Sequence, residues 1–330
     1  MPARPAAPRR GPSEPPQAGA ARPARQPVPR ALDPRPARPP RRRGRRAGRT
    51  LLGVAAFVVG VGAAGTGVAA WLRHLDAEPL VERCSATAEG TAWFLEPDQA
   101  DTTALLAATS VRRGLPARAT TIAIATGLQE SKLRNIDFGD RDSLGIFQQR
   151  PSQGWGTPEQ LLDPVYATNA FYDALVEVEG YEDLAVTEAA QAVQRSGFPD
   201  AYAQHEPRAR AWASAMYGFS PGALTCTLAP ADAAGDPAGL AARVERDFGG
   251  LPVTATGPVL EVDASGLGGT AEDAARMAWI VAHWAVSVAE THDVVAVQAG
   301  DTAWARTEGA WATVDDAPTA PGVVRIELAT

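Results

Sequence analysis

Two stretches of this chain carry residue types that could do chemistry together. Thr126-Gly-Leu-Gln-Glu-Ser-Lys-Leu133 puts a glutamate, Glu130, at the end of a helical pattern. After a polar loop, Ser143-Leu-Gly-Ile-Phe-Gln-Gln149 closes on two amides. Ile124 and Leu128 lie four apart and share one face of that helix. Glu130 shares another with Ala123, Thr126 and Leu133, small or apolar neighbours that would let its carboxyl point into a lined cleft. A carboxylate near a helix C-terminus is also opposed by the helix dipole. Both influences favour the protonated acid, the form that a proton donor near neutral pH requires. The competing reading is a solvated surface glutamate, the commonest kind.

The loop between the two stretches offers Asp140 and Asp142 as candidate second carboxylates, because a hydrolysis that uses Glu130 as acid would need a base to activate water. The alternative is that Arg141 and nearby backbone groups neutralise both, so that they shape a cleft rim. A calcium loop does not fit: Leu144 falls on the fifth ligand position and Pro151 on the twelfth, where a glutamate belongs. No metal or other cofactor is expected. Gln148 and Gln149, followed by Pro151-Ser-Gln-Gly-Trp155, place amides beside an aromatic ring. Amides bond hydroxyls, and an aromatic face packs on a pyranose, so these three are candidate substrate-binding residues, with a core anchor as the equal alternative for Trp155.

Glu130-Ser131 followed, fifteen residues after Glu130, by Gly145-Ile-Phe-Gln148 resembles the lysozyme-like superfamily, specifically soluble lytic transglycosylases and goose-type lysozymes. The likeness covers roughly residues 101–217. It implies a mainly α lysozyme-like domain with Glu130 as catalytic acid, acting on peptidoglycan glycan strands at the bond between N-acetylmuramic acid and N-acetylglucosamine. Where that family has a Tyr-Asn pair on a late helix, this chain has Gln194 and Arg195, within Val193-Gln-Arg-Ser-Gly197. Gln194 could still bond an N-acetyl group or Glu130. Arg195, if close, would oppose an acid role, so a catalytically inactive domain that binds glycan or a cell-envelope partner stays open. Taken whole, the chain is also similar to membrane-anchored actinobacterial proteins with comparable Gln-Glu-Ser-Lys-Leu and Gln-Ala-Val-Gln-Arg-Ser runs.

The elements that must position these residues follow from composition and period. Residues 1–49 carry 14 arginines against Glu14 and Asp33, a net charge of +12. The other 17 basic and 36 acidic residues give −19, for −7 overall. The first segment, rich in Pro, Arg and Ala, cannot bury enough apolar surface to order itself. Leu51 to Leu72 is 22 residues without a charge, enough for a transmembrane helix, and the arginines before it set the N-terminus in the cytoplasm. Arg41–Arg46 is then a topology determinant and an anionic-lipid contact rather than a nucleic-acid site. The length of chain before the span argues for an uncleaved anchor over a signal peptide.

The body would lie outside the cytoplasm, at the cell membrane and facing the wall. There Cys84 and Cys226, flanking the lysozyme-like region, are expected to form a disulfide, with two free thiols as the alternative. The expected organisation is a basic tail (1–50), a transmembrane helix (51–72), a membrane-proximal linker (73–100), the lysozyme-like domain (101–229), a linker (230–237) and a small α+β domain (238–330). In the last, Met277, Ile280, Trp284 and Val288 fall at helical spacing and mark a packed face.

Overall fold

The first ordered structure comes from two short runs with strand-like alternation. β1 (Arg83–Ala88) and β2 (Thr91–Leu95) form an antiparallel hairpin turned at Glu89 and Gly90, both at positive φ. β3 (Leu224–Thr227) pairs with the other edge of β1, giving a three-stranded sheet in the order β2-β1-β3. Cys84 lies directly opposite Cys226 in that pairing, and the two are joined by the expected disulfide. This description comes from a computed structural model that covers residues 80–268, 273–315 and 317–330. The basic tail and the Leu51–Leu72 span lie outside the described residues.

The helices begin at prolines and caps. Pro97 opens α1 (Pro97–Arg112), where the Gln99 side chain reaches back to accept from the Glu96 backbone N–H at 2.8 Å. α2 (Ala117–Ser131) follows Pro116 and is buried along most of its length. α3 (Pro158–Leu161), α4 (Pro164–Val176), capped by Asp163, α5 (Val186–Gln194) and α6 (Glu206–Met216) come next. α2 packs against α6, α1, α5 and α4 and is the central helix of this part. Phe147, Phe171 and Tyr172 fill the core beside it, with the two phenylalanine rings stacked at 4.2 Å.

The rest of the chain adds α7 (Pro237–Phe248), α8 (Ala274–Ser287) and a six-stranded antiparallel sheet. Its strands β4 (Val253–Thr256), β5 (Val259–Asp263), β6 (Val294–Ala299), β7 (Thr302–Ala305), β8 (Ala310–Thr313) and β9 (Val323–Leu328) run in the order β4-β5-β9-β6-β7-β8. Met277, Ile280, Trp284 and Val288 are all buried. α7 and α8 pack on α1, and a buried ionic network joins the three. Arg243 bonds Asp101 and Asp247, while Asp247 also accepts from Arg246 and from the Trp284 indole. Glu78–Thr330 forms one compact unit.

The expectation of a mainly α lysozyme-like domain, with a small α+β domain after it, is therefore corrected, while the transmembrane helix expected before it lies outside the described residues. The architecture is mixed α/β, with two sheets. The stretch 73–100, read as a linker, carries the β1–β2 hairpin, and β3 closes that sheet from the far end of the helical region. Among the described residues no helix is long and apolar enough to cross a membrane.

Candidate active site

Glu130 is the penultimate residue of α2. The helix stops there because Lys132 and Leu133 turn left-handed, at φ 57° and 61°, and both backbone N–H groups return to the Gly127 carbonyl. Leu133 is then driven into the core. Gly127 makes room for it: a Cβ there would stand 2.7 Å from Leu133 Cδ2. The helix end is thus fixed by one buried side chain and one missing one, and Glu130 is left half-exposed beside it.

The second stretch is brought directly to this end. Ser131 donates its hydroxyl to the Ile146 carbonyl at 2.7 Å. Leu144 and Gln149 exchange two backbone hydrogen bonds, closing 144–149 into a tight turn. Gly145 sits in it at φ +76°, and a Cβ there would meet the Leu161 carbonyl oxygen at 2.3 Å. From the other side, Gln194 at the end of α5 donates to the Phe147 carbonyl at 2.7 Å. The turn is held between the ends of α2 and α5.

The residue that touches Glu130 was not anticipated. Tyr202 donates its hydroxyl to Glu130 Oε1 at 2.7 Å, and its ring is fully buried. Burial, with a smaller contribution from the Glu130 carboxyl, pushes this phenol well above its ordinary value, so it remains a donor. Next to it, Gln204 and His205 both donate to Gln129 Oε1, at 3.2 and 3.1 Å. The amide oxygen only accepts, which assigns the hydrogen to His205 Nε2. Burial and Arg208 lower the His205 pKa. The sequence holds one weak signal for this strip, the polar run Asp200-Ala-Tyr-Ala-Gln-His205 between two helices.

The other candidates take separate places. Asp142 accepts from the Ser152 backbone N–H at 2.8 Å, from Arg150 Nε at 2.9 Å and from the Ser152 hydroxyl at 3.0 Å. Those bonds, the backbone one foremost, hold its carboxyl far below the usual range and tie it to the loop. Asp140 is exposed, with Arg141 Nε 3.9 Å away. Gln148 spends its amide on the carbonyls of Phe138 and Gly145. Gln149 is buried and donates to Ala167 O. Trp155, Gln194 and Arg195 come together on one groove of about 600 Å³, whose wall does not include Glu130. Trp155 is partly buried, packed against the core, and lines that groove. Among the described residues no cluster of three or more His, Cys, Asp or Glu side chains is arranged to hold a metal ion. No protein-family model matches this chain, and no curated protein matches it either.

Proposed function

We propose that this chain is a glycan-cleaving enzyme of the lytic transglycosylase type, acting on the bond between N-acetylmuramic acid and N-acetylglucosamine in peptidoglycan. The observation that carries the reading is the Tyr202–Glu130 hydrogen bond at the end of α2, with Ser131 tying the Gly145–Gln148 turn to the adjoining residue. Tyr202 occupies Oε1, which leaves Oε2 to hand its proton to the glycosidic oxygen as the C1–O bond breaks. The carboxylate then takes the proton from the muramic 6-hydroxyl as that oxygen bonds C1, giving a 1,6-anhydro end and restoring the acid. One carboxyl serves both steps. The commitment of Asp142 to three loop hydrogen bonds removes one of the two candidate bases that an inverting hydrolase would need, leaving Asp140 alone for that role. The Cys84–Cys226 disulfide supports a location outside the reducing cytoplasm, where the wall lies.

A second reading, glycan binding without cleavage, is favoured by one feature: the groove that gathers Trp155, Gln194 and Arg195 is not lined by Glu130. Incubating the full-length protein with purified peptidoglycan and weighing the products by mass spectrometry separates the readings. Anhydro ends are expected. Reducing ends would make it a hydrolase, and intact glycan with retained binding would leave only the binding role.

A further inference from the structure

A groove of about 820 Å³ lies between the β1–β2 hairpin and α6, apart from the one that carries Trp155. Its volume is within the roughly 300–1,000 Å³ typical of small-ligand sites. Trp93 forms part of its wall and is half-buried, packed against the core. Thr87, Thr91 and Ser214 add hydroxyls. Arg210 adds a guanidinium that is 69% exposed; it stands 4.0 Å from the Glu206 carboxylate one turn away on α6, which Arg118 also engages at 3.3 Å. A ring edged with hydroxyls and an exposed guanidinium suits a pyranose unit, whose C–H face packs on an aromatic and whose hydroxyls bond around the rim.

The wall is also built before any ligand arrives. The Trp212 indole donates to the Trp93 carbonyl at 2.9 Å, and the disulfide fixes β1 to β3. Little ordering is left to be done on binding, which favours affinity. The groove reaches Ala203, the residue after Tyr202, whose hydroxyl holds Glu130.

We propose that this groove holds a second stretch of the glycan strand while another part of the same strand lies at Glu130. The proposal rests on the glycan-cleaving reading for the identity of the ligand. It makes the protein a reader of strand length: short oligosaccharides reach one site, long strands reach both, and linked sites gain affinity without new contacts.

The test uses the full-length Glu130→Gln protein, which binds without cutting, and uncrosslinked glycan strands of four and of about twelve sugars. The longer strand is expected to bind about tenfold more tightly. Thr91→Arg, which fills the groove from an exposed position, and Arg210→Ala should each erode that advantage and leave the four-sugar affinity unchanged. Trp93→Ala should abolish the advantage, and Trp93→Phe, which keeps a ring in the wall, should restore most of it. Equal affinity for the two lengths, or an advantage untouched by Thr91→Arg and Arg210→Ala, overturns the groove. If the wild type still cleaves peptidoglycan in that case, the Glu130 reading stands. Groove-dependent binding by a wild type that never cleaves supports the groove and removes the enzyme. No binding to either strand removes both.

Discussion

At the scale of single residues, the candidate chemistry rests on a carboxyl held by a buried phenol. Glu130→Gln keeps shape and hydrogen bonding but loses the transferable proton. Positioned acid–base catalysis contributes about 10²–10⁴-fold, so anhydro-end formation should fall by at least that order while glycan binding survives; equal cleavage by the variant would place the acid elsewhere. Tyr202→Phe keeps the packed ring and removes only the hydroxyl. It should cost about 1 kcal/mol of stability by urea unfolding and lower kcat several-fold with little change in KM. A variant that matches the wild type in kcat would make Tyr202 purely a packing residue. Glu130 and the Gly145–Gln148 turn were legible because their order and interval are local. Tyr202 was not, since its bond to Glu130 spans 72 positions and no helical or strand period marks it. Gln194 was singled out because it stands where the resembling family has a tyrosine, but its amide goes to the Phe147 carbonyl, which only the folded chain reveals.

Among elements, the turn at 144–149 has a backbone with little freedom to vary. Gly145 combines positive φ with a backbone oxygen 2.3 Å from where a Cβ would be. Gly145→Ala should therefore destabilise the protein by more than about 1 kcal/mol, and it should reduce cleavage as well, because the turn is pinned to Ser131. Gly154→Ala is the control, with φ +83° but open space around the added methyl; it should lose stability from strain alone and keep its activity. Similar losses of cleavage in both would mean that the turn does not position the site. The helical pattern that ends at Glu130 and the packed face of Met277, Ile280, Trp284 and Val288 were legible from apolar period. The first sheet was not. β1, β2 and β3 are four to six residues long, and β3 reaches β1 across most of the helical region. The cysteines could be paired from their position in the chain, whereas the strands that carry them follow from a pairing no local pattern encodes.

For the molecule as a whole, His283 tests whether helices and sheet stand or fall together. It lies on α8, fully buried beside Trp279 and Trp311, and its Nδ1 faces the carbonyl of Ala215 on α6 at 2.7 Å. That carbonyl only accepts, so Nδ1 carries the hydrogen and the ring is neutral. Burial is the main reason that its pKa falls from 6.5 to about 4. Above the unfolded value both states are neutral and the contribution to stability is complete. As pH drops below 6.5 the unfolded chain takes up the proton first, and stability is lost until the folded ring protonates near pH 4. The loss amounts to about 3 kcal/mol at its limit. Because α8 packs on α1 and α6 and Glu78–Thr330 is one unit, the loss should appear in a single cooperative urea transition at each pH, followed by both tryptophan fluorescence and far-ultraviolet circular dichroism. His283→Asn can still offer an N–H to Ala215 but cannot titrate, so between pH 7 and pH 4.5 its stability should fall less steeply than that of the wild type. Parallel slopes would show that other groups set the acid limit, and two separate transitions would mean that the sheet and the helical part unfold independently.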